Sequence, residues 1–124
     1  MKFLDSNVLA YAFYENTFQD NCQNILREGG TTDTVCLIEA FHILEFQIGR
    51  EHAIDSLRGL LKSSIEIVEV DVNIFFETLK RSLRYKHLKF IDLIHYTVAV
   101  LKECEVIVSY DKDFDKLDIS RTES

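Results

Sequence analysis

The 124-residue sequence contains no proline and no tryptophan, and it has only four glycines and three cysteines. No apolar run approaches the roughly 20 residues that a membrane-spanning helix needs. Residues 1–15 lack the charged start and small-residue cleavage site of a secretory signal. No low-complexity or repeated segment marks a linker. These absences predict a cytoplasmic protein whose residues 1–124 form one domain around a single hydrophobic core.

The cysteines exclude two common kinds of site. Cys22, Cys36 and Cys104 are odd in number, lie far apart and form no CxxC pair. They therefore fit neither a disulfide framework nor a zinc site. We expect free thiols that pack as small hydrophobic side chains.

The formal net charge of −7 argues at first against a nucleic-acid partner, because phosphates are bound by Lys and Arg. The charge is unevenly distributed, however. Residues 80–89 carry no acid and the bases Lys80, Arg81, Arg84, Lys86 and Lys89. Acids collect instead at Asp111, Asp113, Asp115 and Asp118. A basic strip beside an acidic pocket is typical of an enzyme that binds phosphate and a cation, although a solvated helix end would give the same strip.

Short apolar segments alternate along the chain with helical periodicities. Strands are predicted at residues 2–5, 34–36, 65–70 and 106–109, the last two from an alternating and a continuous apolar pattern. Helices are predicted at residues 8–14, behind the capping residues Ser6 and Asn7, and at 18–27, 37–48, 52–62, 72–83 and 91–103. This alternation favours an α/β fold in three layers, with a central parallel sheet of four or five short strands flanked by helices.

Two carboxylates stand in helices that are otherwise largely apolar. Asp92 lies in FIDLIHYTVAVL and Glu39 lies in LIEAFHILEF. A buried carboxylate is costly unless a partner compensates it. Asp92 could instead cap its helix or form a buried salt bridge, and Glu39 could face solvent.

Two further acids, Asp5 and Asp111, follow predicted strands. Ligands of open parallel sheets bind at the carboxyl ends of the strands, so the four acids are expected to meet at one edge. At about 5 Å and an effective dielectric near 20, each like-charged pair costs roughly 3 kcal/mol. Without a cation, one or more of these acids should take up a proton. Mg²⁺ or Mn²⁺ would compensate all of them through oxygen ligands.

Four segments, taken in order, resemble the motifs of the PIN domain family. MKFLDSNVLAYAF resembles the opening strand with its Asp and following Asn, and LIEAFHIL resembles the helix that bears the family's Glu. FIDLIHYTVAVL resembles the helix that begins with the third acid, and VIVSYDKDF resembles the strand that leads to Ser or Thr and then Asp. The resemblance covers essentially the whole chain and is nearest in style to the small prokaryotic VapC-like toxin ribonucleases.

The resemblance implies a Mg²⁺- or Mn²⁺-dependent endoribonuclease, the toxin of a toxin–antitoxin pair. It assigns the catalytic and metal-binding roles to Asp5, Glu39, Asp92 and Asp111. Asn7, Ser109 and Asp113 would support the site, Asn7 by orienting Asp5 or a water on the metal. Asp111 and Asp113 compete for the position nearer the metal, and we favour Asp111.

The same resemblance implies partners. The basic strip of Lys80, Arg81, Arg84, Lys86 and Lys89 would guide the RNA. A homodimer and a small antitoxin protein are expected, with Phe13, Tyr14 and Phe18 as candidate groove residues for the antitoxin. The alternative function is a catalytically silent PIN scaffold that binds a protein or RNA.

Three other sites are weaker interpretations. Glu39-x-x-His42 and Asp92-x-x-His95 imitate a di-iron carboxylate site, but that fold needs four long helices, and both histidines fit core or pocket-wall positions. The EF-hand spacing after Asp111 fails because Lys116 occupies its glycine position and Thr122 its acid position. A haloacid-dehalogenase phosphatase needs an acid where Asn7 stands.

Overall fold

The computed structural model describes residues 1–124 and contains five strands of three residues each, six α-helices and one 3₁₀ helix. The strands are β1 (Lys2–Leu4), β2 (Thr31–Asp33), β3 (Glu66–Val68), β4 (Val106–Val108) and β5 (Ser120–Thr122). The helices are α1 (Ser6–Tyr11), α2 (Gln19–Glu28), α3 (Thr34–Ile48), α4 (Arg50–Lys62), α5 (Val72–Ser82) and α6 (Phe90–Leu101), and the 3₁₀ helix is Lys112–Lys116. None of the helices has the length and apolar character needed to span a bilayer.

All strand pairs are parallel, and the strand order is β3-β2-β1-β4-β5. Phe3 of β1 lies opposite Thr31 of β2 on one side and Ile107 of β4 on the other. The predicted α/β class with a parallel sheet of four or five strands is confirmed. Because the strand order changes direction at β1, the carboxyl ends of β1 and β4 flank the cleft where ligands of such sheets bind.

Local boundaries differ from the sequence prediction at β2, α3 and α1. The second strand lies at Thr31–Asp33 rather than at residues 34–36, and helix α3 begins at Thr34 instead of Leu37. The helix begins early because the Asp33 carboxylate accepts the backbone N–H of Cys36 at 2.7 Å and so caps it. At α1 the capping residue is likewise an acid, Asp5, and the expected caps Ser6 and Asn7 fall inside the helix.

One core joins the buried side chains of the central strands to those of the surrounding helices, including α1, α3, α4 and α6. The side chains of Phe3, Leu4, Ile107 and Val108 are completely buried. Helix α6 is buried from Asp92 to Ala99, as its apolar sequence predicted. Cys22, Cys36 and Cys104 are free and buried, which confirms the expectation for the three cysteines.

Candidate metal centre

The structure brings the four predicted acids to one edge of the sheet. Asp5 follows β1, Asp111 follows β4, Glu39 lies in the second turn of α3 and Asp92 lies in the first turn of α6. Ligand atoms of Asp92, Asp111 and Asp113 lie within 4.8 Å of one another, and so do those of Asp5, Glu39, Cys36 and His95. The two groups adjoin, since the charges of Asp111, Asp5 and Glu39 all raise the pKa of Asp92.

Asp5 is buried and extensively hydrogen-bonded. Its Oδ1 accepts the backbone N–H of Ser6 at 2.8 Å, and its Oδ2 accepts the hydroxyl of Ser109 at 2.6 Å. The amide of Asn7 lies 3.4 Å from both Asp5 Oδ2 and Ser109 Oγ. Burial still raises the pKa of Asp5, although His95 and these donors oppose the shift. The carboxylate is therefore held in a fixed orientation at the end of β1.

Asp92 has the opposite environment. It is only 8% exposed, and its Oδ2 is buried without any hydrogen-bond partner. Helix α6 begins after Lys89 with no side-chain cap, and Asp92 enters no ion pair, so neither alternative interpretation of this residue holds. Burial, followed by the charges of Asp111 and Asp5, raises the pKa of Asp92 to about 6.

Glu39 is linked to the buried part of the site by a hydrogen bond to His95. Its Oε1 lies 2.7 Å from Nε2 of His95, and Nδ1 of the same ring lies 2.7 Å from Oδ2 of Asp33. The side chains of His95 and Asp33 are buried, whereas that of Glu39 is 33% exposed. Glu39 is therefore not a free surface acid, because one of its oxygens is hydrogen-bonded to the buried ring of His95.

The protonation state of the two ring nitrogens of His95 depends on the groups that surround the ring. Burial by itself lowers the pKa of His95, but Cys36 and the hydrogen bonds to Asp33, Cys36 and Glu39 raise it well above the ordinary value. Burial also raises the pKa of Cys36 to about 12, so Cys36 is a neutral thiol near pH 7. Each ring nitrogen lies 2.7 Å from a carboxylate oxygen, an arrangement that favours the doubly protonated ring with both N–H groups donating.

Ser109 connects the two central strand ends. Its hydroxyl donates to Asp5 and accepts the backbone N–H of Asp111 at 2.9 Å. Asp111 in turn caps the 3₁₀ helix by accepting the N–H of Asp113 at 2.9 Å. Asp111 and Asp113 both belong to the group around Asp92, and Lys116 lies 3.3 Å from Asp113 Oδ1.

The donor set fits a hard divalent cation. Asp92, Asp111 and Asp113 offer only carboxylate oxygens, which Mg²⁺ and Mn²⁺ prefer. The unpartnered Oδ2 of Asp92 is the kind of buried acceptor that a cation would satisfy. The neighbouring group is less suited to zinc, since both nitrogens of His95 already face carboxylates.

A comparison with protein-family models matches residues 2–120 to the PIN domain. The chain belongs to the PIN domain family. No match is found among curated protein sequences. Solved structures with a similar fold include VapC20 of Mycobacterium tuberculosis, described as a sarcin–ricin loop cleaving toxin, with a TM-score of 0.85 at 14% identity over 100% of both chains.

Two further similar structures are assemblies. VapBC2 of Rickettsia felis, bound to a DNA fragment from its promoter, has a TM-score of 0.71 at 15% identity and covers 98% of this chain and 97% of that one. A toxin–antitoxin complex from Klebsiella pneumoniae has a TM-score of 0.72 at 16% identity and covers 95% and 93%. At these identities the likeness establishes the fold.

The basic strip of this PIN domain divides into two parts. Lys80 and Arg81, on α5, each lie 3.4 Å from the carboxylate of Glu77. Arg84 and Lys86 lie beyond the helix, where they line a cavity of about 180 Å³ together with Tyr85, His87, Leu88 and Lys116. Lys89 directly precedes α6 and is exposed. Lys116 was not expected at this surface, and its ion pair with Asp113 places the cavity next to the acidic group.

Other expectations have mixed outcomes. The α/β topology excludes the four-helix di-iron bundle, with His95 in the core and the exposed His42 lining a groove between α3 and α4. Phe13 and Tyr14 are partly buried against the core, and Phe18, which is 38% exposed, packs against Tyr110 with ring centroids 4.3 Å apart. The role of these three residues as an antitoxin groove stays a prediction.

Three residues of the site escaped the sequence analysis as functional residues: Asp33, Cys36 and His95. Asp33 was overlooked because β2 was placed three residues too late, which hid its position at a strand end. The acid directly before a helix start was a usable signal, since Asp is a preferred N-cap. His95 had been interpreted only as a core or pocket-wall residue.

Proposed function

We propose that this PIN domain is a metal-dependent endoribonuclease that hydrolyses RNA phosphodiester bonds, and that it is the toxin of a toxin–antitoxin pair. The observation that supports this most strongly is the buried, unpartnered Oδ2 of Asp92 among neighbouring carboxylates. Several buried like charges are costly without a cation. A chain that served only as a binding scaffold would have no use for that cost.

The proposed roles follow from the environment of each acid. Asp5 and Asp92 would hold the principal Mg²⁺ or Mn²⁺ ion. Glu39 and Asp111 would ligate it through water, hold a second ion, or help to deprotonate the attacking water. Such an ion, when bound, lowers the pKa of water and stabilises charge on the phosphate. Ser109 and Asn7 would keep Asp5 in place through their hydrogen bonds. The extra contact of Asp113 with Lys116 suits a supporting role.

The products follow from the choice of nucleophile. Because water attacks and no ribose hydroxyl is needed, the cut ends should be a 5′-phosphate and a 3′-hydroxyl. No cysteine or histidine nucleophile is required. Cys36 is buried with a pKa of about 12, and both nitrogens of His95 are occupied by carboxylates.

The RNA would approach over the basic cavity beside the acids. Arg84, Lys86 and Lys116 line this cavity, and Lys89 stands three residues before Asp92. Lys80 and Arg81 would contribute less, because Glu77 already compensates part of their charge. A phosphate bound in the cavity would lie next to a scissile phosphodiester placed at the acidic group.

Two exposed apolar surfaces support protein partners. One is the groove of about 300 Å³ between α3 and α4, lined by Leu37, Ile38, Phe41, His42, Leu57 and Leu61. The other is the outer face of α5, with Val72, Phe75, Phe76, Leu79 and Leu83 exposed. Exposed apolar patches of this kind mark interaction surfaces. They are the places where we would seek an antitoxin helix and a second copy of this chain.

The decisive experiment incubates the purified protein with single-stranded and hairpin RNA in Mg²⁺ or Mn²⁺ and maps the new ends. Wild type should leave 5′-phosphates, and Asp92→Asn should lower the rate by at least about 1000-fold. The matched control is Asp55→Asn, an exposed acid of α4, which should cleave normally. Full activity of Asp92→Asn refutes the assignment, and an absence of Mn²⁺ binding by wild type in calorimetry favours the silent scaffold.

A further inference from the structure

His95 lies between two carboxylates that differ in exposure and in partners. Asp33, on one side, is completely buried at the end of β2, and Glu39, on the other, is one-third exposed on α3. Both N···O distances are 2.7 Å, within the range of strong charge-assisted hydrogen bonds. A single ring of α6 thus links the end of a strand to a side chain of the acidic group.

Both oxygens of Asp33 accept buried hydrogen bonds. Its Oδ1 accepts the N–H of Cys36 at 2.7 Å, and its Oδ2 accepts Nδ1–H of His95. Both bonds are buried, so the carboxylate cannot turn without breaking one of them. The orientation of the imidazole ring is consequently fixed from the side away from the acids.

Glu39 is held at one oxygen only. Its Oε1 accepts Nε2–H of His95, and the structure contains no other hydrogen bond to its carboxylate. A glutamate side chain with three rotatable bonds and one-third exposure would otherwise sample several rotamers. The bond to a buried, doubly anchored ring restricts it and leaves Oε2 as the oxygen available for ligation.

We propose that His95, oriented by Asp33, is a positioning residue that presets the Glu39 carboxylate for the metal ion. The inference rests on the proposed function, since it concerns an ion held by Asp5, Glu39, Asp92 and Asp111. A histidine needed only for packing would be satisfied by any buried acceptor. Here one of the two partners of His95 is Glu39, a member of the acidic group. Carboxylates that bind metals are commonly oriented by hydrogen bonds of this kind from residues that do not touch the metal.

The test measures Mn²⁺ affinity by calorimetry in the absence of RNA, together with kcat and KM for RNA cleavage. His95→Gln should weaken Mn²⁺ binding by about 10- to 100-fold and lower kcat with little change in KM. His52→Gln is the matched control, because it makes the same substitution at an exposed position of α4 that does not line the groove between α3 and α4. It should leave both measurements unchanged.

A double-mutant cycle distinguishes positioning from packing. If His95 acts through Glu39, then adding His95→Gln to Glu39→Gln should weaken Mn²⁺ binding less than about twofold further. A role in packing alone predicts that the folded His95→Gln protein binds Mn²⁺ as wild type does, and that result overturns the proposal. Equal and additive losses in the two backgrounds overturn it as well.

A milder variant covers the case in which His95→Gln does not fold. Asp33→Asn keeps one oxygen to cap α3 through the N–H of Cys36, but it places an amide N–H opposite Nδ1 of His95 in place of the charged acceptor. It should therefore fold and weaken Mn²⁺ binding by several-fold. Wild-type affinity in Asp33→Asn overturns the proposal while RNA cleavage by wild type still supports the proposed function. If wild type itself neither binds Mn²⁺ nor cleaves RNA, the proposed function fails and the inference fails with it.

Discussion

Asp5 and Asp92 are similarly buried in the acidic group but have opposite hydrogen-bonding states. The carboxylate of Asp5 accepts donors from Ser6 and Ser109, whereas Oδ2 of Asp92 accepts none. The charge of Asp5 also contributes to the raised pKa of Asp92. Hydrogen-bond donors therefore oppose the effect of burial at Asp5, whereas no donor opposes it at Asp92.

Asp92→Asn should stabilise the metal-free protein above its pKa. Asp92 titrates at about 6 in the folded protein against an ordinary value of 3.8. The folded wild type binds the Asp92 proton more tightly than the unfolded chain does, so protonation of Asp92 stabilises the wild type. That contribution is fully present below about pH 4 and is lost as the pH rises through 6. With an allowance for solvent screening, the unfolding free energy of Asp92→Asn should exceed that of wild type by about 1 kcal/mol at about pH 7.5, which corresponds to roughly 4 °C in Tm.

Thermal unfolding in EDTA across this pH range measures the effect. The difference between Asp92→Asn and wild type should vanish towards about pH 4. Asp55→Asn, exposed on α4, serves as the control and should show no such trend. A variant less stable than wild type at every pH would contradict the assignment of Asp92 as an uncompensated charge.

Divalent metal should stabilise the wild-type protein strongly. A ligand that binds only the folded state at 100 times its Kd contributes about 2.7 kcal/mol, which for a chain of this size is about 10 °C in Tm. Mn²⁺ and Mg²⁺ should both act because the donors are oxygens. Asp92→Asn should lose most of this shift, and an equal shift in that variant would place the ion elsewhere.

Much of the fold could be predicted because it depends on apolar patterns. Helix α6 is apolar on nearly every side and is buried accordingly, and VIVS predicted the central strand β4. The strand β2 was misplaced because its sequence, TTD, is polar although all three residues are completely buried. The hydroxyl of Thr32 is satisfied by the carbonyl of Leu4 at 2.8 Å, a contact that no local pattern reveals.

The candidate site, like the fold, could be predicted from the sequence only in part. The acids were recognisable because a carboxylate in an apolar helix, or directly after a strand, stands out in the sequence. Asp33, the partner of His95, could not be recognised in this way. It lies 62 positions from His95, and the predicted second strand did not end at it. Lys116 lies outside the basic strip and reaches the same cavity only through the fold.

Ser109→Ala should reduce activity more than its effect on stability explains. The hydroxyl donates to Asp5 and accepts the N–H of Asp111, so its loss frees two groups of the acidic site at once. We expect a loss of about 1–2 kcal/mol in unfolding free energy and a 10- to 100-fold loss in kcat. Ser56→Ala is the matched control, because that hydroxyl donates only to the carbonyl of His52 in its own helix.

These two serine variants are compared by chemical unfolding and by single-turnover RNA cleavage. Ser56→Ala should lose some stability and no activity at temperatures where it is folded. If Ser109→Ala and Ser56→Ala have the same cleavage rate, Ser109 has no part in arranging the acids.

Arg84, Lys86 and Lys116 should each contribute to RNA binding through phosphate contacts. Because each contact releases counterions, changing one of them to Gln should reduce the slope of log K against log salt by about 0.7. Fluorescence anisotropy with a short single-stranded RNA in EDTA measures the slope without cleavage. Lys80→Gln should change it less, since Glu77 already pairs with Lys80, and Lys102→Gln, whose partner is Glu66, should not change it. Unaltered slopes in all three cavity variants would show that the RNA follows another path to the acids.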